Sequence, residues 1–424
     1  MALISYSDAL IALRAEAMLQ AVESVDLYAL AGRVVAEDVV AGISVPSFNN
    51  SAMDGFALQA SLTAGASETA PLTFAVGDCL AAGDVSASVS VSVIAAGNSL
   101  GQAVEIMTGA KVPDGYDAVV PIERVSCVRD VAGKTLEIRL SHALRAGENV
   151  RYAAEDFQAG IPVVSRSTRL HAGHVAALAA TGVGTVKVYK TPTVAVIATG
   201  KEISDCHGQP LADGEIYNSN APYLINQLNA SGLAATYAGN IGDDEAHFAR
   251  LLDELSEARI IISSGAVSKG RWDFIPEILK QRGARIVFHG VAIKPGKPVL
   301  FAVLPDGRYY FGLPGNPISA AVGLRFFVQP LIRAILGMPE EQFLAIPLAQ
   351  AFNKKGPMFH FLKAKRVFDE NGQARLDVLD GQESFKISPM LAMNGWALVE
   401  EKQSNLASGS LVRFAEADLF STNE

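Results

Sequence analysis

The sequence predicts a multidomain α/β fold: a central, mainly parallel α/β sheet, a discontinuous N-terminal α/β unit with a β-rich insertion, and a small C-terminal β-barrel-like domain. Three observations predict it. The 424 residues exceed what one hydrophobic core organises, which sets a prior of about three compact units. From Thr191 onward strand-like and helix-like segments alternate, the pattern of a parallel sheet covered by helices. After Pro46, and again after Pro339, the texture changes to short apolar segments broken by Gly, Pro, Asp and Ser.

At the N-terminus, apolar residues recur at helical spacing in "SDALIALRAEAML", with Ser7 as candidate cap, and in "LYALAGRVVAEDV". Both predict packed helices. The segments "LTFAVGD", "EIMTGAKVPDG", "DAVVPIERVSCV" and "LEIRLSH" predict a β-rich insertion over 46–143, and "DVSASVSVSVIAAGNS" within it predicts an irregular or edge strand. Helical spacing returns in "TRLHAGHVAALAATG", so 1–45 and 144–190 form one discontinuous unit. The central unit, 191–337, alternates "TVAVIATG", "NAPYLINQLNASG", "AATYAGNIG", "DEAHFARLLDELSE", "RIIISSGAVSKG", "DFIPEILKQRG", "RIVFHGVAI", "PVLFAVL" and "YYFGLPG" before a long helix from Asn316 or Pro317. Residues 338–424, with "FLKAKRVFD", "ARLDVLD", "GWALVEE" and "SLVRFAE", predict the C-terminal β domain.

Half of the residues are hydrophobic and 19% are charged, with no uninterrupted apolar run of transmembrane length and no signal-like start. A soluble cytoplasmic protein is expected. Cys79, Cys127 and Cys206 are odd in number and far apart without CxxC spacing, so neither a disulfide framework nor a zinc site is indicated. The net charge of −9 argues against a nucleic-acid surface while allowing a local basic pocket for a small anion.

Ligands of such sheets sit beyond the carboxyl ends of the strands. There the sequence places "ATGKEI", "NIGDDEAH", "SSGAVSKGRWD" and "GLPGNPIS", whose Gly200, Gly265, Gly270, Gly312 and Gly315 let main-chain amides approach a ligand. A helix capped by Asn316 with Pro317 at its first position would present free N–H groups to an oxyanion. The carboxylates Glu202, Asp243, Asp244 and Asp273 follow these loops and suit Mg²⁺ if they converge; singly, each reads first as a helix cap or first-turn charge, Asp244 as the latter, while Asp273 follows a Gly-rich segment over the sheet edge and is the strongest metal candidate. Lys294 and Lys297 flank Pro295-Gly296 on a stiff turn and predict an anion-binding pair. His171 and His174 lack a third ligand, and no nucleophilic triad stands out.

The motifs "VPSFNNSAMDGFAL", "IMTGAKVPDGYDAVVPIE", "AAEDFQAG", "ATGKEI", "GEIYNSNAPYL", "ISSGAVSKGRWDF", "IKPGKP" and "GLPGNPISA" occur in an order that resembles the MoeA family of molybdopterin molybdenumtransferases, similar to the gephyrin E domain. The resemblance covers nearly the whole chain. It implies a molybdopterin-binding central domain, adenylylated molybdopterin and molybdate as substrates, Mg²⁺ dependence, AMP release and formation of molybdenum cofactor. It also implies a homodimer whose active site is shared between subunits, with contacts to a molybdopterin adenylyltransferase and to apo molybdoenzymes, and with no nucleic acid or membrane.

Residue by residue, the resemblance assigns Asp273, Asp243 and Glu202 to catalysis and Mg²⁺. Asp54, Thr108 and Asp156 match the motifs supplied by the partner subunit. Ser219, Asn220, Gly265, Ser268, Gly312, Pro314, Gly315, Asn316 and Pro317 match pterin and nucleotide contacts. Lys294, Lys297, Ser319 and Ser388 match the molybdate group. Three positions differ from the family pattern: Ala266 stands for a glycine, Asn218 for a carboxylate, and Lys363 near an expected arginine. They keep open a pterin-binding or scaffold protein beside the insertase; a molybdopterin adenylyltransferase is a further alternative, disfavoured by the flanking units.

Overall fold

The computed structural model describes residues 3–84, 101–242, 244–266 and 274–420. The serine-rich segment expected as an edge strand, and the expected site residues Asp243, Ser268 and Asp273, lie outside them.

The central sheet has six strands in the spatial order Ala234–Asn240, Thr193–Ala198, Ile260–Ser264, Tyr309–Leu313, Leu300–Val303 and Arg285–His289. Its first four strands are parallel and the last two add antiparallel, giving a mixed sheet. Alternation along the strands divides two cores. Val194, Val196, Ile260, Ile262 and Phe311 face the helix Asn220–Ala230 and the long helix that begins at Pro317. Ala195, Ile197, Ile261 and Tyr310 face Glu245–Glu254 and Ile275–Gln281. Both faces are covered, which is why the strands read as continuous apolar runs.

The long helix runs from Pro317 to Ile335 and is 89% buried. Among the described residues it alone is long and apolar enough to cross a membrane, but that burial and its paired arginines mark it as a core element. Arg325 forms an ion pair with Glu341 and donates to Glu416 O at 2.9 Å; Arg333 donates to Pro339 O. A π turn occupies Leu324–Val328. Pro330 removes one helical donor and crowds the carbonyl of Phe326, and the wider turn absorbs both effects.

Another six-stranded sheet is built from Ala118–Pro121, Gly55–Leu58, Gln102–Ile106, Leu72–Leu80, Thr135–Leu140 and Val125–Arg129, over Phe56, Leu58, Phe74 and Ile138. Strand Val22–Asp26 pairs with Thr185–Tyr189, and Val39–Val40 with Pro162–Val164. The segment "LYALAGRVVAEDV" is not the expected helix: only Leu27–Ala29 turns, as a single 3₁₀ turn. Gly32 at φ +82° breaks the pattern, and Val34 and Val35 form bridges to Arg169 and Val188 instead. These β-branched residues serve extended backbone better than helix.

In the C-terminal sheet, strands run Ile293–Lys294, Phe359–Phe368, Gly395–Val399, Leu411–Glu416 and Leu344–Pro347, with Ala374–Val378 also paired to Phe359–Phe368. Its first member comes from the lysine turn of the central unit. The turn is therefore fixed to two sheets at once.

Candidate active site

The carboxyl ends of Thr193–Ala198 and Ile260–Ser264, together with the loop after Tyr309–Leu313, open into a cleft of about 1000 Å³. Its polar lining includes Thr199, Gly200, Lys201, Glu202, Ser219, Asn220, Ser264, Gly265, Gly315 and Asn316. Gly265 has φ +104°, and a Cβ there would lie 2.4 Å from Thr199 Oγ1, so only glycine lets these loops close together. The next residue, Ala266, also takes a left-handed conformation, at φ +50°. Asn220 ties the floor by donating from Nδ2 to Ser264 Oγ and to Gly315 O, each at 2.7 Å.

Asn218 also borders the cleft and is 3% exposed. Its Nδ2 donates to Asp205 Oδ1 at 2.8 Å and to the Tyr237 hydroxyl at 3.1 Å, while Oδ1 accepts from Ala221 N at the start of Asn220–Ala230. The amide thus has a partner that a carboxylate would repel, because Asp205 already supplies the negative charge. Burial and Asp205 together push the Tyr237 phenol well above its ordinary range, leaving it a hydrogen-bond donor.

A second cleft of about 870 Å³ holds Lys294, Lys297 and Ser319, with His360 and Ser384 on its wall. Both lysines are exposed, and among the described residues neither ammonium group has an ion pair or hydrogen bond, while the Lys297 carbonyl accepts from Val291 N at 2.9 Å. Gly296 at φ +99° brings their turn against Ile293 and the main chain of Ser319, where a Cβ would be 3.3 and 3.6 Å away. Lys294 lies opposite His360 in the parallel pairing with Phe359–Phe368. His360 is 4% exposed, its Nε2 has no partner among the described residues, and burial, then Lys354 and Lys294, push it down to about 4. The ring is therefore neutral beside a cationic pair. Nothing in its sequence spacing pointed to it.

One strap, Gln382–Ile387, borders both clefts: Gln382, Glu383 and Ser384 line the second, Phe385 and Ile387 the first. Lys363, fully buried, holds it by donating from Nζ to Glu383 O at 3.2 Å and Lys386 O at 3.1 Å. Ile318 N donates to Ser384 O at 3.0 Å, so one free amide of the long helix is already engaged. Asn316 occupies the cap position and Pro317 the first turn as expected, yet the Asn316 side chain makes no capping bond.

Other expected site residues stand apart. Gly312 and Pro314 lie at the buried end of Tyr309–Leu313 and just beyond it, behind the cleft lining. Ser219 lines the first cleft, whereas Ser388 begins a 3₁₀ turn past the strap and lines neither. Asp54 is exposed and accepts from Thr108 N and Oγ1, both at 2.7 Å; these bonds, the main-chain one first, hold its carboxyl below the usual range. Neither that pair nor the exposed Asp156 lines either cleft of its own chain. Asp244 caps Glu245–Glu254 through His247 N, and His171 caps Ala172–Ala180. Among the described residues no cluster of three metal-ligating side chains occurs. Glu202 brings a carboxylate to the first cleft, a donor set that suits Mg²⁺ when phosphate and water complete it.

Residues 4–182 match the MoeA N-terminal region (domain I and II), and residues 195–334 match the probable molybdopterin binding domain. A molybdopterin molybdenumtransferase from Synechococcus elongatus is 33% identical over 415 residues, covering 97% of this chain and 98% of that relative. One from Bacillus subtilis is 34% identical over 386 residues, covering 90% and 86% respectively. The crystal structure of a molybdopterin biosynthesis MoeA protein from Pyrococcus horikoshii aligns with TM-score 0.78 at 26% identity, over 98% of this chain and 100% of that one.

Proposed function

Since the chain belongs to the molybdopterin molybdenumtransferases, transferases of molybdenum cofactor biosynthesis, we propose that it inserts molybdate into adenylylated molybdopterin and cleaves the adenylate linkage to release AMP. The observation that carries this reading is the pair of clefts on either side of one strap. The first offers glycine loops suited to phosphate; the second offers two exposed lysines suited to a small dianion.

In this reading the phosphates of the adenylate lie on Gly200, Gly265 and Gly315, beside Ser219 and Asn220. Molybdate lies between Lys294, Lys297 and Ser319. Mg²⁺, held by Glu202 with Asp243 and Asp273, would supply charge neutralisation at the phosphates. The chain's own loops orient the linkage so that water or a molybdate oxygen adds at phosphorus as AMP departs. Asp54, Thr108 and Asp156, exposed and outside both clefts, belong to the site of a second copy. Cytoplasmic location and contacts with an adenylyltransferase and apo molybdoenzymes accompany the same reading.

The scaffold alternative drew on Asn218, Lys363 and Ala266. Two of these have local partners in Asp205 and the strap carbonyls, which supports retained turnover. The test supplies adenylylated molybdopterin, Mg²⁺ and molybdate, and follows AMP release together with reconstitution of an apo molybdoenzyme. Molybdate-dependent AMP release that weakens in Lys297→Ala is the expected result. Ligand binding without such release would leave the scaffold reading in its place.

A further inference from the structure

The first cleft carries an apolar rim that phosphate binding does not explain. Leu211, Ile216, Tyr217, Phe385 and Ile387 all line it, yet each remains between 37% and 64% exposed. Water-facing apolar side chains gathered around one cavity with a polar lining mark a ligand surface. Two of the five are aromatic, and Tyr217 is held in place. The Tyr217 hydroxyl donates to Gln209 O, and its ring stacks on His207 with centroids 5.8 Å apart and 20° between the planes. His207 is itself anchored, through Nε2 and Asn218 O at 2.9 Å. One face of Tyr217 is thus backed before any ligand arrives, which lowers the ordering cost of binding. Phe385 stands on the strap between the two carbonyls that accept from Lys363.

We propose that Tyr217 and Phe385 bind the flat heteroaromatic part of the substrate by ring stacking, while the glycine loops of the same cleft take its phosphate. This rests on reading the cleft as the nucleotide and pterin site, and it adds the side chains that carry affinity for a ring. Adenine and pterin offer the same π-face chemistry, so the probes separate them.

The experiment measures binding of AMP, ribose 5-phosphate and neopterin to the full chain by calorimetry. Phe385→Ala and Tyr217→Ala should each weaken the stacked ring compound by about five- to a hundredfold, the range for a ring on an aromatic side chain, and leave ribose 5-phosphate unchanged. Phe385→Trp should keep affinity, whereas Phe385→Leu, which preserves apolar area without a π face, should lose it as alanine does. A loss confined to AMP assigns the rim to adenine, and one confined to neopterin assigns it to pterin. If ribose 5-phosphate binds but neither alanine variant changes the ring compounds, stacking is overturned while the phosphate assignment stands. If none of the three probes binds, the cleft assignment fails and stacking with it. Size-exclusion chromatography of Phe385→Ala adds one check: conversion to smaller species with ring affinity intact would assign the rim to a subunit contact and overturn the proposal.

Discussion

At the scale of single residues, charge placement explains what motif comparison leaves unresolved. Asn218 stands where the resemblance implies a carboxylate, and its amide bridges Asp205 and Tyr237. Asn218→Asp should therefore cost about 1–3 kcal/mol in chemical denaturation, because it replaces a donor with a second acceptor. The penalty should shrink as pH falls through the carboxylate range and vanish in the Asp205→Asn background. His360 predicts the opposite end of the same logic. Its folded pKa of about 4 lies below the ordinary 6.5, so its stabilising contribution is complete above 6.5 and is lost as pH falls towards 4. Replacing His360 with Leu should flatten that acid limb by about 3 kcal/mol, read as denaturation midpoints between pH 7 and pH 4.

At the scale of elements, the strand and helix alternation of the central unit was legible because its strands are apolar on both faces and its loops carry obligatory glycines such as Gly265. The hidden parts are those set by long-range pairing. Ile293–Lys294 is a two-residue strand, too short to show a period, and its partner lies 66 positions away in the pairing Ile293↔Phe359. Val34 and Val35 read as helix until a distant strand claimed them. His360 escaped notice for the same reason, and the resemblance marked Lys363 without its role, since it acts through carbonyl groups that sequence spacing does not reveal. Lys363→Met should speed amide hydrogen exchange across Gln382–Ile387. It should change global stability by less than about 2 kcal/mol, because removing a buried ammonium offsets the lost hydrogen bonds. Exchange at wild-type rate would remove Lys363 as the strap's anchor.

At the scale of the whole molecule, the Asp54 and Thr108 pair and the two clefts occupy different parts of one chain. If a second copy completes the site, Asp54→Asn and Lys297→Ala damage different halves of a shared centre. Co-expressing the two impaired chains with separate tags should yield mixed dimers that regain part of the AMP release seen for the wild type. Mixed dimers as impaired as either parent would place all the chemistry within one chain.

The strap also bears on how such a protein changes over time or under selection in the laboratory. A substitution at Glu383 or Phe385 that tunes one ligand alters the wall presented to the other, so adjustments there carry a double effect. The lysine turn, by contrast, lines the second cleft and not the first. If the proposed assignment holds, attempts to shift preference between molybdate and tungstate should begin there, at Lys294 and Lys297.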